Sequence, residues 1–236
     1  MRVSRWLIAF LIVNWAFLVL YPDPLVLWRS IDNLRHPNVD PAAVSALAAR
    51  LPNDPNAIRD AVLTRIVPYS YDWQVNGVPW YFPTTAQALR AGRGDCESQA
   101  VVLASILKAK GIPYQLRMSF DHIWVQYAGK RPNALENAGV AFAVQEHGRF
   151  VFRWPANFDL WKEARAQVQI YWTPVPLGRK AVFFGGIVAL LFLNALVALA
   201  RRGAGGALPL AVAPPASRRA PARKTVLPTP ADARGR

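Results

Sequence analysis

One cysteine in 236 residues leaves no partner for an internal disulfide and excludes a zinc site built on several thiolates. Histidine is nearly as scarce: only His36, His122 and His147 can supply imidazole chemistry. Acids number 14 against 28 Lys and Arg, giving a formal net charge of +14. No internal repeat is visible. No stretch interleaves basic and aromatic residues in the way of a nucleic-acid surface, so nucleic acid is not an expected partner. The length suits one domain of roughly 100 to 200 residues with appendages.

What the chain does have is two long apolar runs. Residues 6–21 contain Asn14 as their one strongly polar side chain and stop at Pro22, Asp23 and Pro24. At about 1.5 Å per residue this run is near the short limit for crossing a bilayer, and residues 25–28 extend it after a kink. No small-x-small pattern precedes Asp23, which favours an uncleaved anchor over a signal peptide. Residues 181–200 are apolar except Asn194, and their helix of about 30 Å matches the hydrocarbon core. Counted from residues 6 and 200, the two asparagines lie at similar depth, which predicts a hydrogen bond between the spans.

Charge then sets orientation, because short cytoplasmic flanks keep Lys and Arg while long translocated domains largely ignore the rule. Arg2 and Arg5 precede the first run; eight basic residues and only Asp232 follow the second. Arg179 and Lys180 oppose this pattern. Both termini are therefore expected in the cytoplasm, with residues 22–178 outside carrying 16 bases and 13 acids. The excess charge belongs mainly to the tail, facing anionic lipid. Residues 203–236, rich in Ala, Pro, Gly and Arg and free of aromatics, cannot bury enough surface to fold. The expected divisions are 1–28 for the anchor, 29–178 for an extracytoplasmic domain, 179–202 for the second span and 203–236 for a disordered basic tail. The lipid bilayer is thus an expected partner, and the composition suits a two-pass protein of a bacterial inner membrane with a periplasmic domain.

Within the domain, Asp40-Pro41 and Asp54-Pro55 each read as a helix cap with proline at the first helical position. Ile58, Val62 and Ile66 form a stripe at four-residue spacing. The punctuated, aromatic stretch 67–82 predicts an irregular packed connection. Asp95 is placed to cap a helix from Cys96, and Gly111 to end it in the left-handed conformation. Period-two patterns then predict strands at 114–118, 122–127, 139–145 and 150–154. A helix followed by an antiparallel sheet is an α+β arrangement.

Cys96 falls in the first turn of that helix, where unpaired N–H groups and the dipole favour a thiolate. An isolated cysteine is also commonly a small core residue. His122 opens a strand 26 residues later, on the face it shares with Trp124. Such an imidazole can take the thiol proton and return it to a leaving amine. Asp95, Cys96 and Glu97 splay apart on a helix with no nearby histidine, so neither a metal nor any cofactor is expected.

Gly94-Asp95-Cys96-Glu97, the helix ending at Lys110-Gly111-Ile112-Pro113, and His122-Ile123-Trp124-Val125 resemble the transglutaminase-like superfamily. Tyr69, Tyr71, Asp72 and residues 84–89 are similar to that family's approach to its nucleophile. The resemblance implies a papain-like α+β core, flanked here by two transmembrane helices. It also implies a Cys-His-Asp triad acting on a peptide or protein amide through a thioester, with Cys96 as nucleophile and His122 as base. The third position departs from the pattern, since no Asp stands between Asp121 and Asp159. Glu136 is the acid at suitable separation, Asn137 beside it offers a carbonyl instead, and Asp159 is a distant third. Hydrolysis is favoured over cross-linking for a solitary tethered domain. The other classes left open are a non-catalytic binding or assembly module and a purely structural membrane subunit. The substrate and the oligomeric state are not legible.

Overall fold

The computed structural model describes residues 5–133, 136, 141–147, 149–153 and 159–204. The first apolar run forms α1 (Arg5–Leu20), which ends where Pro22 and Pro24 remove backbone donors. Asp23 then caps α2 (Pro24–Arg35) by accepting from Leu25 N at 3.0 Å, and α2 leaves α1 at 74°. At 16 residues α1 spans about 24 Å, short of the hydrocarbon thickness. Among the described residues only Leu177–Ala200, within α9 (Leu177–Ala204), is alone long and apolar enough to cross a membrane. The chain falls into two compact units, Met1–Ala195 and Leu196–Arg236, and the arrangement described below lies in the first.

The expected bond between Asn14 and Asn194 is not formed. Asn14 donates to its own helix at Phe10 O, 2.8 Å away. The reason is level: Trp15 Nε1 donates to Phe183 O, and its ring fills the space a Cβ would need at Gly186. Asn194 lies eight residues beyond Gly186, about 12 Å further along the helix.

Four short helices precede the central one: α3 (Ser45–Arg50), α4 (Pro55–Ala61), α5 (Asp72–Val75) and α6 (Thr85–Ala91). Asp40 caps only a turn, accepting from Ala42 N and Ala43 N, so α3 starts later than the proline suggests. Asp54 does cap α4, which continues as a π-helical turn over Val62–Ile66 with Ile58 and Val62 fully buried. α6 opens on a reciprocal Thr84–Gln87 capping box.

α7 (Cys96–Ala109) is the hub. Residues 97–107 are buried without a break, as befits a helix wrapped on all sides rather than amphipathic. Its end is the expected one: Gly111 takes φ +67, Gly111 N bonds Lys108 O and Ile112 N bonds Leu107 O. β1 (Tyr114–Met118), β2 (Ile123–Tyr127), β3 (Ala143–Glu146) and β4 (Arg149–Phe152) form one antiparallel sheet in the order β2-β1-β3-β4. The α+β class expected from the sequence is the one observed. The second hairpin is shorter than the pattern suggests, with Gly139, Val140 and Trp154 outside the described residues. β2 is an edge strand and packs against α7, bringing the first turn of the helix beside the first residue of the strand. α8 (Leu160–Gln167) and a second π-helical turn, Val168–Trp172, lead to α9.

Candidate active site

Backbone pairing fixes where α7 begins. Gly94 bridges to Tyr69, with Gly94 N donating to Pro68 O and Gly94 O accepting from Ser70 N. A side chain at residue 94 would collide with Ser98, its Cβ falling 2.5 Å from Ser98 Cβ, so only glycine lets this strand-like segment touch the first turn of α7. On the sheet side, Ser119 N forms a tight turn by donating to His122 O at 2.8 Å, and the side chains of Ser119 and Asp121 close it. Strand pairing starts at Ile123, one residue later than expected. His122 therefore sits at the lip of the sheet, stacked on Trp124 at 5.9 Å between ring centres. That stacking follows from the period-two alternation.

The two residues singled out for chemistry share a cavity. Cys96 and His122 both line a space of about 800 Å³ whose walls include Trp80, Phe120, Phe142 and Tyr171. Ile123, the first residue of β2, borders the same space as Cys96. A second void of about 30 Å³, room for a water molecule, is bordered by Cys96, His122, Lys130 and Glu136. Trp124 borders it too, and its buried Nε1–H has no acceptor among the described residues.

Glu136 joins them from the far side. Its Oε1 lies 3.6 Å from His122 Nε2, and its Oε2 lies 2.6 Å from Lys130 Nζ. Arg59, from α4, approaches Oε1 at 3.8 Å. Burial by itself would raise this carboxyl's pKa, but the nearby His122 imidazole and the Lys130 and Arg59 charges hold it down at about 2. Lys130 is depressed by its own burial, in part offset by Glu136. The sequence contained no signal for Lys130 or Arg59, because neither belongs to a motif. Asn137 lies outside the described residues. Asp159 is elsewhere, capping α8 at Trp161 N and Lys162 N, while His36 pairs with Asp32 at 3.6 Å and His147 occupies a hairpin turn.

The sulfur's immediate neighbour is an acid. Cys96 Sγ donates to Glu97 Oε2 at 3.0 Å, and Trp80 Nε1 holds Glu97 Oε1 at 2.8 Å. Asp95 occupies the cap position without capping, and its buried Oδ1 has no hydrogen-bond partner among the described residues. Asp72 accepts from Asn76 Nδ2 and Tyr81 N. Burial and then the Glu97 charge push Asp72 up to about 7. Burial, then Glu97 and Asp72, push Asp95 well above the usual carboxylate range. The Cys96 thiol is likewise pushed well up, by burial first and then by Glu97 and Asp95, with only the Ile123 N–H acting the other way. The direction is opposite to the expectation of a helix-stabilised thiolate, because burial first, and then the neighbouring acids, act against the favourable dipole at the start of α7.

No family model matches the chain, and neither does any curated protein or solved structure.

Proposed function

We propose that the protein is a membrane-tethered, transglutaminase-like cysteine enzyme with a papain-like core, which opens amide bonds through a thioester. The observation that carries the reading is the convergence of Cys96 and His122 on one cavity, with Glu136 3.6 Å from His122 Nε2. With Nε2–H directed to Glu136, the neutral ring keeps its lone pair on Nδ1, which becomes the basic nitrogen. His122 takes the Cys96 proton, and the thiolate attacks the substrate carbonyl. N–H groups in the first turn of α7 stabilise the oxyanion. The C–N bond breaks as the imidazolium gives its proton to the departing amine. Water then attacks the thioester, loses its proton to His122 and releases a carboxylic acid, and the proton returns to sulfur. An amine in place of water would give transamidation; hydrolysis is the simpler outcome for a single tethered domain. The basic residues of the amino-terminal flank and the tail favour cytoplasmic termini and a domain on the outer side of a bacterial inner membrane.

A second reading is favoured by one observation: a thiol donating to Glu97, and raised by burial and then by neighbouring acids, is a poor resting nucleophile. That is what an inert binding or assembly module would contain. Iodoacetamide labelling of Cys96 across pH separates the two. The enzyme predicts thiolate reactivity below the thiol's intrinsic range that disappears in His122→Ala, together with a loss of about 10²- to 10⁴-fold in turnover. Labelling that rises only at high pH and ignores His122→Ala would favour the module.

A further inference from the structure

The outer ends of α1 and α9 each reach the wall of the catalytic cavity through one side chain. Tyr21, which follows α1, donates its hydroxyl to Trp80 O at 3.2 Å, and Trp80 is a wall residue. At the other helix the link is Trp73. Its Nε1–H reaches Tyr171 O, also in the wall, at 3.0 Å, and the Arg179 guanidinium lies over its ring at 5.6 Å. Arg179 stands in the first turn of α9 and donates to Val19 O in the last turn of α1 at 2.7 Å. A single indole therefore separates the cavity wall from the point where the two helices meet.

Part of that wall also comes from the segments that adjoin those helices. α2, bent 74° from α1, contributes Leu34; α8 and its π-helical extension contribute Ala166, Gln169 and Ile170. Both elements also expose tryptophan to solvent, Trp28 at 67% and Trp161 at 77%, with Leu25 and Leu160 beside them. Exposed Trp and Leu on helices next to a span are what the headgroup layer accommodates best.

We infer that the cavity lies at the bilayer surface and takes its amide from a lipid-anchored peptide, presented within the headgroup layer, and not from a peptide free in solution. This deepens the amide-enzyme reading and rests on it, and on α1 and α9 crossing the membrane.

A tether ruler tests it. The full chain is reconstituted in vesicles of phosphatidylethanolamine and phosphatidylglycerol. It is then offered one neutral dipeptide chloroacetamide in three forms: free, joined to a palmitoyl chain by about four residues, or joined by about thirty. Four extended residues reach about 14 Å. Cys96 is the only thiol in the sequence, so intact mass reads its alkylation directly, with Cys96→Ser as the blank. The short tether should label at least about tenfold faster than the free probe and faster than the long tether, because effective concentration falls with linker length once the span is bridged. Labelling by the long tether but not the short one would lift the site off the membrane and overturn the inference, as would equal rates for the free and short-tethered probes. The labelling profile of His122→Ala reports separately on the chemistry. A tether preference that survives alongside a pH profile indifferent to His122 would sink the enzyme while leaving the membrane position standing.

Discussion

Glu97 is the residue whose role differs most from its reading in the sequence, where it is one of two acids decorating a helix start. In the fold it is the hydrogen-bond acceptor of the only thiol, held in place by Trp80. Its negative charge raises the Cys96 pKa, so removing that charge must lower it. Glu97→Gln is therefore expected to shift the midpoint of Cys96 alkylation to lower pH and to speed labelling at neutrality, read by the same iodoacetamide titration. A midpoint that stays put would mean the acid does not control the sulfur. Whether the variant also turns over faster depends on nucleophilicity, which falls with thiol pKa, so the labelling midpoint is the cleaner readout.

At the scale of elements, the start of α7 depends on a backbone contact that tolerates no side chain. Gly94→Ala would place a methyl against Ser98 and force the first turn away from the Tyr69 bridge. Overpacking of this kind costs about 1–3 kcal/mol. Thermal denaturation should report a loss of that order, and the rate of Cys96 labelling should change as the first turn of α7 shifts. A variant of unchanged stability and reactivity would mean that the segment 67–70 yields freely. The opposite boundary of α7 is robust for a reason already present in the sequence: Gly111 adopts the left-handed conformation that ends the helix, and two hydrogen bonds lock it.

For the whole molecule, buried carboxyls set opposing pH dependences. Asp72 binds its proton more tightly folded than unfolded, with its pKa raised from 3.8 to about 7. Its stabilising contribution is complete below about pH 4 and is lost as pH rises through 7, and Asp95 acts in the same direction. Glu136 is depressed from 4.5 to about 2, so its contribution is present above pH 4.5 and is lost as pH falls towards 2. Together they predict a melting temperature that is highest at about pH 4 to 5 and declines towards pH 8. Asp72→Asn should flatten the alkaline decline even though it weakens a hydrogen bond to Asn76 or Tyr81; a slope identical to that of the parent chain would refute the assignment. Local rules in the sequence determined the apolar runs, the capped α4, the span of α7, the strand pattern and the pairing of His122 with Trp124, because caps, left-handed glycines and period-two alternation act between near neighbours. They also raised Cys96, His122 and Glu136 as candidates. Tertiary structure alone decided that Glu97 accepts from the sulfur, that Asp95 does not cap the helix, and that Asn14 and Asn194 stand at different levels. It also decided that Arg59 and Lys130 enclose Glu136. Each of these depends on the direction of a side chain across a gap between distant segments, and sequence spacing does not encode that direction.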